Sequence, residues 1–327
     1  MPITDKKPNI FTRFFKWFKN NFIPLKTDNK KDIITKIILF ICVLVFIASL
    51  IWLVIFYHNK LETDDLNSKL QGLYSSFDDM SSSFESLESE DDFESEPIIM
   101  DSFKELYALN NEIVGWLEIK GSKVNLPVMQ TKNNSYYLSH DFEGNKTITG
   151  SIFAEYRYPV LSNNRADNIV IYGHNTTDGT FFGALHKYKN IKYFKENPII
   201  DFDTLYQKDK YKIFACFLTN TLPQHDDGVV FDYHNKILFN NQEDFDDFYS
   251  NVMKRSYYHT GIDVEYGDEL ITLSTCDHTI KEGRLVIVAR KLREGESVET
   301  DDSKVIYNPK LYMPLVWYEV MKKDPPR

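Results

Sequence analysis

The chain is poor in the residues that staple small extracellular folds. It has three cysteines in 327 residues, Cys42, Cys216 and Cys276, which cannot build a disulfide framework. It has no C-x-x-C pair and no H-x-x-x-H spacing. Zinc would therefore lack a ligand set, and no cofactor is expected. Glycine is scarce, with 13 residues and no Gly-rich phosphate loop, and no internal repeat is visible. Basic residues are outnumbered, 38 Lys and Arg against 48 Asp and Glu, for a net charge of −10. That balance argues against a general nucleic-acid binder. Apolar residues are plentiful at 43%, and 15% are aromatic. This is enough for one sizeable domain with appendages.

The charge is unevenly laid out. Residues 37–57, IILFICVLVFIASLIWLVIFY, carry none. As a helix they would span about 31 Å, the depth of a bilayer core, and no small-residue cleavage site follows them. They are expected to form a single transmembrane helix contacting the lipid bilayer. Residues 1–36 hold nine Lys and Arg against three Asp, whereas residues 58–97 hold two Lys against twelve acids. The positive-inside rule then puts the N-terminal tail in the cytoplasm and everything after Tyr57 outside. The segment FTRFFKWFKNNF could lie along the inner leaflet or serve as a plain topogenic tail.

Residues 58–100 read as an acidic stalk. Leu66, Leu70, Leu73, Phe77, Met80, Phe84 and Leu87 recur at spacings of four and three, a heptad-like seam. A helix follows from that spacing. The seam could pair two stalks in a dimer or pack on the chain's own domain. From about Asp101 the composition turns globular. GWLEI, VNLPVMQ, GSIFAEYR, NIVIYGH, PIIDFDT, YKIFACFLT, ELITLSTC and RLVIVARK are short, β-rich and separated by turns. So many strands with few helix-length gaps predict a mostly β fold, an antiparallel sheet or closed barrel. One gap holds a helix, residues 242–256, with Phe245, Phe248, Tyr249, Val252 and Met253 on one face, acids early and Lys254–Arg255 late. Residues 293–327 form a C-terminal extension. Pro314 and its short apolar run make a second membrane span a poor reading, and the segment is expected to fold back on the domain.

Cys216 sits within an apolar run and reads as a small buried residue. Cys276 ends one, in ELITLSTC, and is left as an outside thiol without a partner. In an antiparallel hairpin the end of that strand faces the start of RLVIVARK, which brings Arg284 beside Cys276. A thiol nucleophile also needs a proton carrier. His174 ends another apolar strand in NIVIYGHN, after Gly173. His278, two residues past Cys276, is the rival, on a loop. The other six histidines read as surface or packing residues.

These motifs resemble the sortases, membrane-bound cysteine transpeptidases of Gram-positive bacteria. TLSTC, GRLVIVAR and YGHN carry the likeness. GWLEI, LPVMQ, NNSYYLSHDFEG, GSIF and the helix before the cysteine strand point to class B. The resemblance covers roughly residues 101–292, the expected catalytic domain. It implies a closed eight-stranded β-barrel with peripheral helices, behind a single N-terminal transmembrane helix and a helical stalk. It maps catalysis onto Cys276, His174 and Arg284, and substrate contacts onto Ser274, Asn134 and Leu138. Asp277 receives no role. The implied reaction cleaves a C-terminal sorting motif after Thr through a thioacyl intermediate. The product passes to a peptidoglycan precursor amine at the cell wall, or to a pilin lysine in a polymerising sortase. A cysteine protease that only hydrolyses, or a membrane-anchored binding module, would be the competing outcome.

Overall fold

The computed structural model describes residues 9–81, 98–161 and 166–325. Helix α1 (Ile10–Phe22) has no buried residue, and α2 runs Lys30–Ser81. The uncharged residues 37–57 lie inside α2, with side chains such as Phe46, Trp52 and Val54 more than half exposed. By length and composition α2 can cross a membrane.

From Asp65 onward the chain forms one unit. Helix α3 (Asp101–Leu109) leads into β1 (Ile113–Glu118), β2 (Asn125–Met129), β3 (Ile152–Ala154) and β4 (Asn168–Tyr172). Next come a 3-10 helix (Phe182–Lys189), α4 (Ile191–Glu196), β5 (Ile199–Thr204) and β6 (Lys210–Asn220). After α5 (Gln242–Arg255) come β7 (Tyr258–His259), β8 (Leu270–Asp277), β9 (Gly283–Lys291), β10 (Ile306–Tyr307) and α6 (Leu315–Met321). Eight strands close a barrel in the order β1-β2-β3-β4-β8-β9-β6-β5. All neighbours pair antiparallel except β2–β3 and β4–β8.

The unbroken apolar runs follow from burial on both strand faces. On β9, Leu285, Ile287 and Ala289 fill the barrel, while Val286 and Val288 face outward under α5. On β6, Cys216 is fully buried inside the barrel, and burial pushes its thiol pKa up. Helix α5 starts where Asn241 accepts a hydrogen bond from the Asp244 amide at 2.9 Å. It buries Phe245, Phe248 and Val252.

The apolar seam on the last turns of α2 is covered by the domain itself. Leu70 is 1% exposed, and Leu66, Leu73 and Tyr74 join Phe103, Leu106 and Trp116 in one cluster. The Tyr74 ring stacks on Trp116 with centroids 4.4 Å apart and planes 3° from parallel. Of the other seam residues, Phe77 and Met80 have no described side chain, and Phe84 and Leu87 lie outside the described residues. At the far end of the polypeptide, β10 pairs with β7, and Met313 is buried against Leu218 and Ile280.

Candidate active site

Two register pairs build the site. Cys276 and Arg284 are direct cross-strand partners on β8 and β9. Strand β4 runs parallel to β8 with Tyr172 opposite Ser274, and the ladder continues through the Gly173 amide to the Ser274 carbonyl at 3.2 Å. His174 therefore leaves the end of β4 level with Cys276. Gly173 is required there. A Cβ would sit 2.8 Å from both Ile152 and the Phe182 ring, closer than side chains tolerate. The close approach lets the 3-10 helix pack beneath the strand end.

The backbone of Cys276 is clamped. Its carbonyl oxygen accepts from Asn175 Nδ2 at 3.0 Å and lies 3.2 Å from His186 Nε2. Thr275 Oγ1 donates to the Gly173 carbonyl at 2.7 Å. Alternation sends Asp277 to the opposite face from Cys276. Its side chain is 1% exposed, ion-paired to Lys189, with His186 Nδ1 3.7 Å away. Burial, the largest single influence, pushes the Asp277 carboxyl up, but the Lys189 and Thr279 hydrogen bonds and the Lys189 charge together hold it below its usual range. His186 is pushed down by burial and by the Lys189 charge, so it stays neutral at neutral pH.

His174 Nε2 lies 2.8 Å from the Leu138 carbonyl. A carbonyl only accepts, so Nε2 carries a hydrogen, and in the neutral ring Nδ1 is the basic nitrogen. The Arg284 side chain is 28% exposed. Its Nη1 donates to the Gly283 carbonyl at 3.0 Å, and Nη2 is 3.7 Å from Glu282.

Cys276, His174 and Arg284 open on one groove of about 340 Å³, and Ser274, Asn134 and Leu138 line the same groove. Asn134 is fixed by donating to Glu155 at 2.7 Å, a carboxylate that also takes Tyr172 at 3.0 Å and Arg157 at 2.9 Å. Ser274 Oγ lies 2.6 Å from Tyr233 OH, whose pKa burial pushes up to about 12, so this phenol is neutral. His278, by contrast, is exposed in the turn after β8 and does not line the groove.

The sortase domain family matches residues 117–292. Sortase B of Listeria monocytogenes is 34% identical over 192 residues, covering 58% of this chain and 73% of the relative. A Staphylococcus aureus sortase B–substrate complex superposes with a TM-score of 0.61 at 28% identity, covering 73% of this chain and all of that one. A sortase B complexed with triglycine gives 0.60 at 27% identity, covering 72% and 100%. The chain belongs to the sortase family, in class B.

Several groove residues of this sortase carry no sequence motif. Thr221, Tyr233 and His234 line the groove, yet His234 reads from sequence as a surface or packing residue. Tyr233 is 41 residues from the Ser274 it meets. His186 reads as surface or packing, and its ring lies against the Cys276 carbonyl. A weak signal existed only for Asn175, next in sequence to His174.

Proposed function

We propose that this sortase is a membrane-anchored cysteine transpeptidase. It cleaves a C-terminal sorting motif of secreted proteins after Thr and transfers the protein to a cell-wall amine. The observation that carries this reading is the convergence of Cys276, Arg284 and His174 from three strand ends on one groove.

In the first step Cys276 Sγ gives up its proton to His174 and attacks the Thr carbonyl carbon. Arg284, fixed opposite the thiol, offers its guanidinium to the oxyanion that develops. The C–N bond breaks as His174 delivers a proton to the leaving amine. In the second step an acceptor amine attacks the thioester, His174 takes the amine's proton, and Sγ leaves. The triglycine found on a related sortase B carries such an amine and supports this acceptor class. Ser274, Asn134 and Leu138 contact the motif from the groove walls.

The anchor is residues 37–57, with residues 1–36 cytoplasmic and the catalytic domain on the outer face. The charge step across the apolar segment supports this orientation. Residues 58–100 tether the domain.

The test is mass spectrometry of the detergent-solubilised chain with a peptide library in which Thr is fixed. A thioacyl adduct on Cys276, absent in Cys276→Ala, is expected. Added triglycine should then divert the adduct from hydrolysis to an amide product. An adduct released only to water would make this enzyme a protease instead.

A further inference from the structure

The sortase-domain match stops at residue 292, yet the chain beyond it is bound to the loops that border the groove. The contacts converge on two points. The first is Asp226, 4% exposed, in the connection between β6 and α5. Its carboxylate accepts from Tyr312 OH and, at 3.1 Å, from the Leu315 amide. The Tyr312 ring is also held by Lys254 and Arg255, 4.2 Å and 4.7 Å from its centroid. The second is Ile280, 2% exposed, in the turn that joins Cys276 to Arg284, where it packs with Met313 and Leu218.

Both points border the chemistry. The connection that carries Asp226 supplies Thr221, Tyr233 and His234 to the groove wall. Thr221 Oγ1 donates to the Glu282 carbonyl at 2.9 Å, tying that wall to the turn. The extension itself is secured upstream. Asn308 donates to the Tyr257 and Ser256 carbonyls at 3.0 Å and 2.9 Å, and the Tyr312 amide donates to the Lys254 carbonyl at 3.0 Å.

We propose that residues 308–318 are a positioning strap for the donor groove. By holding Asp226 and Ile280 they fix the spacing between the 221–234 wall and the Cys276–Arg284 turn, and so set how tightly the sorting peptide binds. Asp226 and Tyr312 are positioning residues, since neither lines the groove. The proposal rests on the reading of that groove as the peptide site. A loosened wall lowers affinity for an extended peptide, because its ordering must then be met from binding energy. A small reagent that reaches the thiol without filling the groove should not sense the change.

The experiment compares Asp226→Ala, Asp226→Asn and Tyr312→Phe with the parent. It uses a quenched peptide selected from a Thr-fixed library, alkylation of Cys276 by iodoacetamide, and a melting curve. Asp226→Ala should raise KM at least fivefold, with kcat and the alkylation rate within twofold of the parent. Asp226→Asn, whose amide oxygen still accepts, should recover part of the KM. Tyr312→Phe, which keeps the ring beside its two cations, should fall between them. Arg293→Ala is the stability control. It breaks ion pairs with Asp263 and Asp268 at the opposite end of β9, and should lower melting without moving KM. KM within twofold of the parent in Asp226→Ala overturns the strap. So does a KM that rises equally in Arg293→Ala, since that would report general loosening. A parent that turns over no peptide sinks both the strap and the transpeptidase reading, whereas an active parent with unmoved variants sinks the strap alone.

Discussion

Replacing Arg284 separates chemistry from folding, because the two costs differ in size. The side chain sits opposite Cys276, and its partners are weak holders of the fold. One is the carbonyl of its own neighbour Gly283, and the other is the half-exposed Glu282 at 3.7 Å. A partly exposed pair of this kind contributes about 0–1 kcal/mol. Its loss would move the melting temperature by about 2–4 °C at most in a domain this size. Removing one preorganised donor from a developing oxyanion costs about 3–4 kcal/mol, roughly a hundred- to a thousandfold in rate. A lysine cannot restore it, since a single ammonium on a flexible stem does not reproduce the planar fork. Arg284→Lys and Arg284→Ala should both lose acylation by that order while melting close to the parent. Acyl-enzyme formation followed by mass spectrometry, beside a melting curve, reads both quantities. If Arg284→Lys acylates at nearly the parent rate, the guanidinium is a solvated charge and Cys276 and His174 act without it. If both variants melt far below the parent, the arginine holds the hairpin and the two costs were misassigned.

His174→Ala should abolish turnover, while His278→Ala, changing an exposed turn residue, should keep most of it. The reverse result would move proton transfer to the loop. Asp203, whose pKa burial pushes up to about 6 against the Tyr74 hydrogen bond that lowers it, adds stability below about pH 4, and that contribution is lost as pH rises through about 6. Asp203→Asn should therefore gain melting temperature relative to the parent at pH 8 compared with pH 4.5, and a difference independent of pH would refute that assignment. Tyr74→Ala removes a buried ring stacked on Trp116 and should cost about 3–5 kcal/mol in urea unfolding. A loss under about 1 kcal/mol would mean the α2 seam is undocked in solution and free for a second chain.

What was legible in the sequence is what lies on single strands. Most of the apolar runs locate barrel strands because burial on both faces writes itself into consecutive residues, while β5 alternates buried and half-buried positions. Cys276 and Arg284 are legible together because a hairpin fixes its own register through a five-residue turn. His174 is legible as the end of another run, but its level with Cys276 depends on β4 lying parallel beside β8, a pairing between residues 102 apart. The groove wall is further out of reach. Tyr233 and His234 follow no periodicity, and only closure of the barrel brings them over Ser274. The α2 seam shows the same limit in another form. Spacings of four and three establish that a helix has an apolar face, and say nothing of what covers it. Trp116, Phe103 and Leu106 cover it here, each more than 25 residues downstream of Tyr74.

Asp277 makes the physical reason concrete. It is the charged residue adjacent to Cys276 in sequence, and proximity along the chain would make it a partner of the thiol. Strand alternation decides otherwise. Cys276 faces the groove, so Asp277 must face the opposite side, and there its carboxylate is enclosed with Lys189 and beside His186. An enclosed carboxylate persists only when paired, which accounts for a lysine reaching it from the 3-10 helix that packs beneath Gly173. The same helix brings His186 onto the Cys276 carbonyl. The acid next to Cys276 in sequence is thus turned away from the groove, while the cation that shares the groove with the thiol is Arg284, one strand away.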